Sequence, residues 1–280
     1  MGFLRNKLVL TMCWLLWTTV SGMMAQDQLE SYHHGSMKSY LLRDKGFVFK
    51  CFEISPEHGV HTVYFSRNGG ERFEEWERRS RNNVMCYLAV GFTQDWATDQ
   101  PPLGLSLENG RPINRNLDPD MDGLVILDRN GIREVADLSA GGGFRFDLHS
   151  GRGRTAFLQE AQRRNYSCFQ TQLMYSHSSG RLMGESKEGK RASRRFLAIC
   201  RDRSGREHHL VMDLARARHL NESAEKALEL LRAQGWEVRY LLNQDTGSRN
   251  IMVAFDDRGR PFYQAPIDRE YATQLLIYFR

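Results

Sequence analysis

The sequence predicts an α+β fold: a twisted, largely antiparallel sheet with a few covering helices, in a single domain. Three observations predict it. Short apolar runs bounded by Gly, Pro, Asn or Asp recur along the chain, which is the spacing of strands joined by turns. Few segments carry a helical period, and they interrupt the strand pattern instead of alternating with it. The composition is ordinary for a globular chain, with 280 residues of which 41% are hydrophobic and 26% charged. That balance excludes a collagen-like, coiled-coil or wholly disordered chain.

From the N-terminus, Arg5 and Lys7 precede an apolar run, Leu8 to Val20, followed by Ser21, Gly22 and Ala25. A run this short does not comfortably cross a hydrocarbon core of about 30 Å, so residues 1–25 read as a cleaved signal peptide, with cleavage after Ala25. The expected location is secreted or periplasmic, with no membrane span after cleavage. Residues 26–45 are polar and read as a linker, and the domain is expected over 46–280. Strands are expected over Gly46–Ile54, Gly59–Ser66, Val84–Phe92, Leu103–Leu107 and Gly123–Asp128. Glu71–Asn82 reads as a charged helix with Phe73 and Trp76 on one side. Residues 137–165 hold Gly141, Gly142 and Gly143 without the Gly-Lys-Ser/Thr ending of a phosphate loop, and read as a flexible connection. Ser176–Ser193 reads as an exposed polar and basic loop. Phe196–Cys200 is a strand. Asn221–Gly235 has the strongest helical period, with Ala224, Ala227, Leu228 and Leu231 on one face and Asn221 or Ser223 as cap. Trp236–Leu242 and Ile251–Phe255 close the pattern as strands.

The charge balance, 39 basic against 34 acidic residues for a net of +5, gives nucleic-acid binding no support, because phosphate neutralisation needs a dense basic face. Signal cleavage would remove Cys13 and leave Cys51, Cys86, Cys168 and Cys200. Their wide spacing excludes a zinc ribbon. Buried free thiols and a disulfide both stay open. His33-His34, His208-His209 and His219 carry no metal-ligand spacing, since adjacent residues on a strand face opposite sides. Asp118-Pro119-Asp120-Met121-Asp122-Gly123 fits the opening of a calcium loop, but Arg129 stands where the closing glutamate belongs. An acidic turn is the better reading, with a surface calcium ion at Asp118, Asp120 and Asp122 as its alternative. No cofactor or resident metal is expected, and no Gly-x-Ser-x-Gly elbow supports a serine hydrolase.

The segment Leu242-Asn243-Gln244-Asp245-Thr246-Gly247-Ser248 places one carboxylate and a glycine in a tight connection between two apolar strands. An acid at a strand end is held rigidly and suits acid/base work. An Asp-containing structural turn is the bland alternative. Helix, strand and this segment together resemble the phosphodiester glycosidases, which carry a Leu-Asn-Leu-Asp-Gly-Gly-Gly-Ser type signature matched without a gap by Leu242 to Val253. The resemblance continues upstream in Pro102-Leu103-Gly104-Leu105-Ser106-Leu107-Glu108-Asn109-Gly110, in Asp122-Gly123-Leu124-Val125, in Gln170–Met174 and in Arg194-Arg195-Phe196-Leu197-Ala198. It is strongest over residues 84–255.

The resemblance implies cleavage of a sugar anomeric carbon from a phosphodiester oxygen, a reaction that needs fixed cations for the anion and carboxylates for an oxocarbenium-like centre. On that basis Asp245 is the expected catalytic carboxylate and Arg194 the phosphate clamp, because guanidinium offers a planar fork to two phosphate oxygens. Arg195, Glu108, Asn243 and Gly247 are the expected substrate-binding residues, and a carbohydrate or sugar phosphate is the expected ligand. The departures are specific: Ala89-Val90-Gly91-Phe92-Thr93 lacks the family asparagine, and Thr246 and Ser248 replace signature glycines. Glycines there let backbone approach a sugar closely, so their loss motivates the alternative of a non-catalytic member that binds a glycan or a partner protein in the same cleft.

Overall fold

The computed structural model describes residues 32–35, 37–56, 59–66, 72–93, 100–139, 143–180, 182, 190–247, 250–265 and 273–280. The expected signal peptide and its cleavage site lie outside them. Three antiparallel sheets dominate. The largest runs β1 (Tyr32–His34), β2 (Met37–Asp44), β3 (Phe47–Ile54), β13 (Glu207–Leu214), β12 (Arg195–Arg201), β14 (Glu237–Gln244), β11 (Leu173–Ser176). The second runs β16 (Pro261–Gln264), β15 (Met252–Phe255), β5 (Val84–Ala89), β17 (Thr273–Phe279), β4 (Val60–Phe65). The third runs β7 (Arg111–Asn114), β6 (Ser106–Glu108), β10 (Ser167–Thr171), β8 (Gly123–Asp128), β9 (Gly131–Asp137). Among the described residues three helices cover them: α1 (Phe73–Ser80), α2 (Gly151–Arg164) and α3 (Leu220–Ala233).

Strands at the centre of a sheet are covered on both faces and so read as unbroken apolar runs. All six residues of β5, Val-Met-Cys-Tyr-Leu-Ala, are buried. Two hairpins close through two-residue loops with both residues left-handed: Lys45-Gly46 (φ 44° and 85°) between β2 and β3, and Asn109-Gly110 (φ 49° and 76°) between β6 and β7. That turn matches the right-handed twist of the strands.

One core cluster draws on all three sheets, with Phe52, Leu197, Val211 and Leu242 of the first, Leu88, Met252 and Leu276 of the second, and Val125, Leu127 and Phe169 of the third. Each helix then closes one outer face. Helix α3 lays Ala224, Ala227, Leu228 and Leu231 on the first sheet beside Phe49, Phe196 and Met212. Helix α1 packs Phe73 and Trp76 on Phe65 and Tyr87 of the second, the Phe65 and Trp76 rings 5.3 Å apart. Helix α2 sets Phe157 and Ala161 on Leu124 and Ile126 of the third. The α+β expectation holds.

Two sequence expectations are corrected. Residues 37–44, placed in a polar linker, form β2, whose Met37, Ser39, Tyr40 and Leu42 are buried. Lys38, Arg43 and Asp44 gave the segment a polar composition, yet they lie toward the two ends of the strand, and both of its faces are covered, Met37 packing in one core cluster and Tyr40 and Leu42 in another. Residues 151–164, placed in a flexible connection, form α2. Ser150 caps it by accepting from the Gly153 N–H at 3.0 Å. Gly153 is required there, since an added Cβ would lie 2.1 Å from the Asp147 carbonyl oxygen. Helix α3 appears as expected but without its expected cap: Ser223 Oγ donates backwards to the His219 carbonyl at 2.6 Å.

Cys51, Cys86, Cys168 and Cys200 are free and buried. Burial pushes their thiols well above the ordinary range, that of Cys86 to about 12. The thiolate is the reactive form. Iodoacetamide at about pH 8 is therefore expected to leave all four unmodified in the native protein and to label all four in denaturant, read by peptide mass spectrometry. Truncation of the fully buried Leu231 to alanine is expected to cost about 3 kcal/mol in urea unfolding, because it strips α3 of its central contact with the first sheet.

Candidate active site

The three sheets meet at strand ends, and buried polar residues collect there. In the first sheet Lys50, Asp213, Arg195 and Gln244 pair in register across β3, β13, β12 and β14. Directly paired residues project to the same side of a sheet, so the four form a row. Arg195 has 0% of its surface exposed. Its Nε donates to Asp213 Oδ1 at 3.1 Å, its Nη1 to the Ile251 carbonyl at 3.1 Å and its Nη2 to Asn250 Oδ1 at 2.6 Å. A guanidinium withdrawn from water is tolerable with such a set of acceptors and one neutralising carboxylate. The Tyr263 hydroxyl donates to the second Asp213 oxygen. Burial, then the Asp213 charge, pushes that phenol well above its ordinary range. Lys50 Nζ lies 4.4 Å from the Tyr263 ring centroid.

From Arg195 a chain of contacts passes through the other two sheets. The Ile251 carbonyl also accepts from Ala89 N–H at 2.9 Å, and the next residue, Val90, donates to the Gln274 carbonyl at 2.9 Å. The Gln274 amide accepts from Ser106 Oγ at 2.8 Å and donates to the Cys168 carbonyl at 3.2 Å. Beside Ser106, the Leu105 N–H donates to Gln170 Oε1 at 2.9 Å. Gln170 also accepts from Asp118 N–H at 3.0 Å and donates to its carbonyl at 2.9 Å, which ties down the loop before β8. Thr171, next in β10, donates to the Asn243 carbonyl, and Asn243 adjoins Gln244. The circuit is closed. It leaves three buried atoms without a partner among the described residues, Asn243 Oδ1, Gln244 Oε1 and Thr273 Oγ1. Buried polar atoms are normally satisfied, and Asn243 and Gln244 present theirs on opposite faces of β14 by strand alternation.

Of the signature residues Asn243 and Gln244 lie on this circuit, and Asp245 to Gly247 follow them directly. Asp245 is the first residue beyond β14 and is 5% exposed. Its Oδ1 accepts from Gly247 N–H at 2.9 Å, turning the chain away from the strand. Gly247 has little room for a side chain, since a Cβ would stand 3.2 Å from that oxygen. Thr246 Oγ1 donates to the Ser193 carbonyl at 2.6 Å, which holds the turn against the segment leading into β12. Arg195 and Gln244 form the last rung of the ladder, so Arg194 and Asp245 are the next residue on each side of it. Arg194 faces away from Arg195 by strand alternation. It is half-buried, which depresses its pKa, and it donates from Nε to the Arg218 carbonyl at 3.2 Å and from Nη2 to the Lys190 carbonyl at 2.7 Å. Asn243 donates to Gln172 Oε1 at 2.8 Å. Glu108 is bonded elsewhere, its carboxylate accepting from Tyr64 N–H at 3.3 Å and its pKa raised by burial.

The acidic turn binds backbone. Asp118 Oδ1 accepts from Asp120 N–H at 2.9 Å and Asp122 Oδ1 from Leu173 N–H at 2.9 Å. No group of three or more His, Cys, Asp or Glu converges as metal ligands among the described residues. Sequence reasoning missed Asp213, Asn250, Tyr263, Gln170 and Gln274. Two left a trace, since Asp213 directly follows the apolar run Leu210–Met212 and Gln274 directly precedes the apolar run Leu275–Phe279. It also missed that His208 has carboxylate neighbours, Glu53 and Asp202, each at 3.2 Å.

The fold belongs to a known class of structures. The chain is similar to the catalytic domain of zebrafish N-acetylglucosamine-1-phosphodiester alpha-N-acetylglucosaminidase, auto-inhibited by its pro-peptide, with a TM-score of 0.55 and 14% identity over 90% of this chain and 87% of that one. It is also similar to a hypothetical protein from Synechocystis, with a TM-score of 0.50 and 14% identity over 87% of this chain and 62% of that one. At that identity the likeness shows a shared fold. No protein-family model matches the chain, and no curated protein matches it in sequence.

Asp213→Asn removes the carboxylate that neutralises Arg195 and is expected to destabilise the protein by about 3 kcal/mol in denaturant unfolding. The double variant Arg195→Met/Asp213→Leu is expected to be more stable than the single one, because a buried apolar pair costs less than an orphaned charge.

Proposed function

We propose that the chain is an exported phosphodiester glycosidase-like hydrolase that acts on a sugar-1-phosphodiester or a related envelope glycan. The observation that carries this reading is the placement of Asp245 and Arg194 side by side beyond the last rung of one ladder, at the strand ends of a fold shared with a phosphodiester glycosidase domain. In the proposed reaction Asp245 takes a proton from a water molecule that attacks the anomeric carbon. The carbon–oxygen bond to phosphate breaks, and the phosphate monoester leaves with the electron pair. A phosphate is already a good leaving group, so the main task is to hold its charge. Arg194 meets it through Nη1, which donates to no atom among the described residues. Asn243 and Gly247 contact the sugar. Arg195, buried and donating from each of its three nitrogens, is a positioning residue that fixes the β12–β14 rung from which Arg194 and Asp245 project. Glu108 has no step in this scheme.

Asp245→Asn is expected to lower the release of free sugar from a panel of sugar-1-phosphodiesters by about 100-fold or more, while the melting transition stays in place. Arg194→Gln is expected to raise KM more than it lowers kcat. An Asp245→Asn enzyme as active as its parent would remove Asp245 from the mechanism. Tight sugar binding by the parent chain with no turnover, measured by calorimetry, would favour the non-catalytic alternative, for which Thr246 and Ser248 in the place of loop glycines are the motive.

A further inference from the structure

At the opposite end of the third sheet lies a cavity of about 570 Å³, whose wall includes Arg129, Arg133, Arg163 and Arg164 against a single carboxylate, Asp128, among the described residues. Strands β8 and β10 connect it to the candidate active site. Gly123 pairs with Thr171 at the site end, and Leu127 pairs with Ser167 at the cavity end. Four residues of strand separate the two ends, about 13 Å at roughly 3.3 Å per residue.

The cavity's cations are held loosely. Arg163 and Arg164, both in the last turn of α2, share Glu160 and keep 72% and 62% of their side-chain surface exposed. Arg133 reaches Asp128 at 3.3 Å with about half of its side chain exposed. Arg129 has no carboxylate partner among the described residues. Exposed ion pairs of this kind are weak, so a ligand with several fixed negative charges displaces them at little cost, and each guanidinium offers a planar fork to a sulfate or phosphate group. The volume is that of a small-molecule site, but this wall is cationic and amide-rich where such sites are usually apolar.

The rings argue against nucleic acid. Single strands bind by stacking bases on accessible aromatic faces. Tyr166 is 5% exposed, with the Arg133 guanidinium 5.5 Å from its ring centre, and the exposed His61, edge-on to Phe279 at 5.6 Å, offers one ring where a single strand stacks successive bases on several. We propose that this cavity binds an anionic glycan chain through sulfate or phosphodiester groups, with Asn109, Asn130 and Asn165 available to sugar hydroxyls. The site stands independently of the chemistry assigned to Asp245.

The test is calorimetric titration of the full chain with a heparin octasaccharide, a glycerol phosphate oligomer, neutral dextran and oligothymidylate. The parent is expected to bind one or both of the first two, the tighter naming the charged group, and to lose about tenfold in affinity when salt rises from about 50 to about 200 mM. Arg129→Gln/Arg133→Gln is expected to weaken that binding about tenfold with an unchanged melting transition, and Arg258→Gln, on the exposed turn before β16, to change it less than about twofold. No binding at low salt, an equal loss in Arg258→Gln, or tighter binding of dextran or oligothymidylate would each overturn the proposal.

Discussion

The buried guanidinium of Arg195 is the constraint on which the arrangement turns. Its three acceptors come from two distant parts of the chain: Asp213 on β13, and Asn250 with the Ile251 carbonyl just before β15 of the second sheet. Hydrophobic contact alone leaves two packed sheets free to slide by small amounts, whereas a charge without water has to keep all of its acceptors in place. The first and second sheets are therefore registered at the strand ends where Asp245 and Arg194 emerge. Asp213 is held in turn by the Tyr263 hydroxyl, so the network reaches the outermost strand of the second sheet.

Gln170 and Gln274 play the corresponding part for the third sheet. Each is buried and each uses its side-chain amide as both donor and acceptor. An amide inserted between strands satisfies backbone groups that an irregular edge would leave unpaired, and it carries no charge to desolvate. The result is a scaffold that is apolar through its middle and polar at one end, the common way for a β protein to keep a site rigid and still accessible.

Strands β3, β4, β5, β6, β8, β12, β14 and β15 were legible in the sequence as apolar runs with turn residues between them, whereas β9, β13, β16 and β17 were not expected. Helix α3 was legible from its period. Two of the hidden elements, β2 and α2, have plain physical reasons. In β2 the charged residues Lys38, Arg43 and Asp44 sit toward the ends of a strand covered on both faces, so its composition is polar although its middle is buried. In α2 the glycines at the first turn argue against a helix, while the reason for one of them, close approach to the Asp147 carbonyl, is a tertiary fact. Of the site, the turn at Asp245 could be read from its neighbours. The partners of Arg195 could not, since Asp213, Asn250 and Tyr263 are distant in sequence and carry no motif. Arg194 and Arg195 are adjacent and chemically alike, and their roles diverge because a strand sends one into the core and the other to its rim.

The most direct measurement is a crystal structure of the chain with a non-hydrolysable sugar-1-phosphonate bound. The phosphonate is expected against the free edge of the Arg194 guanidinium, with the anomeric carbon beside the Asp245 carboxylate and the sugar hydroxyls meeting Asn243. A ligand seated elsewhere, or seated there with Asp245 turned away from the anomeric carbon, would contradict the assignment of these strand ends as the active site.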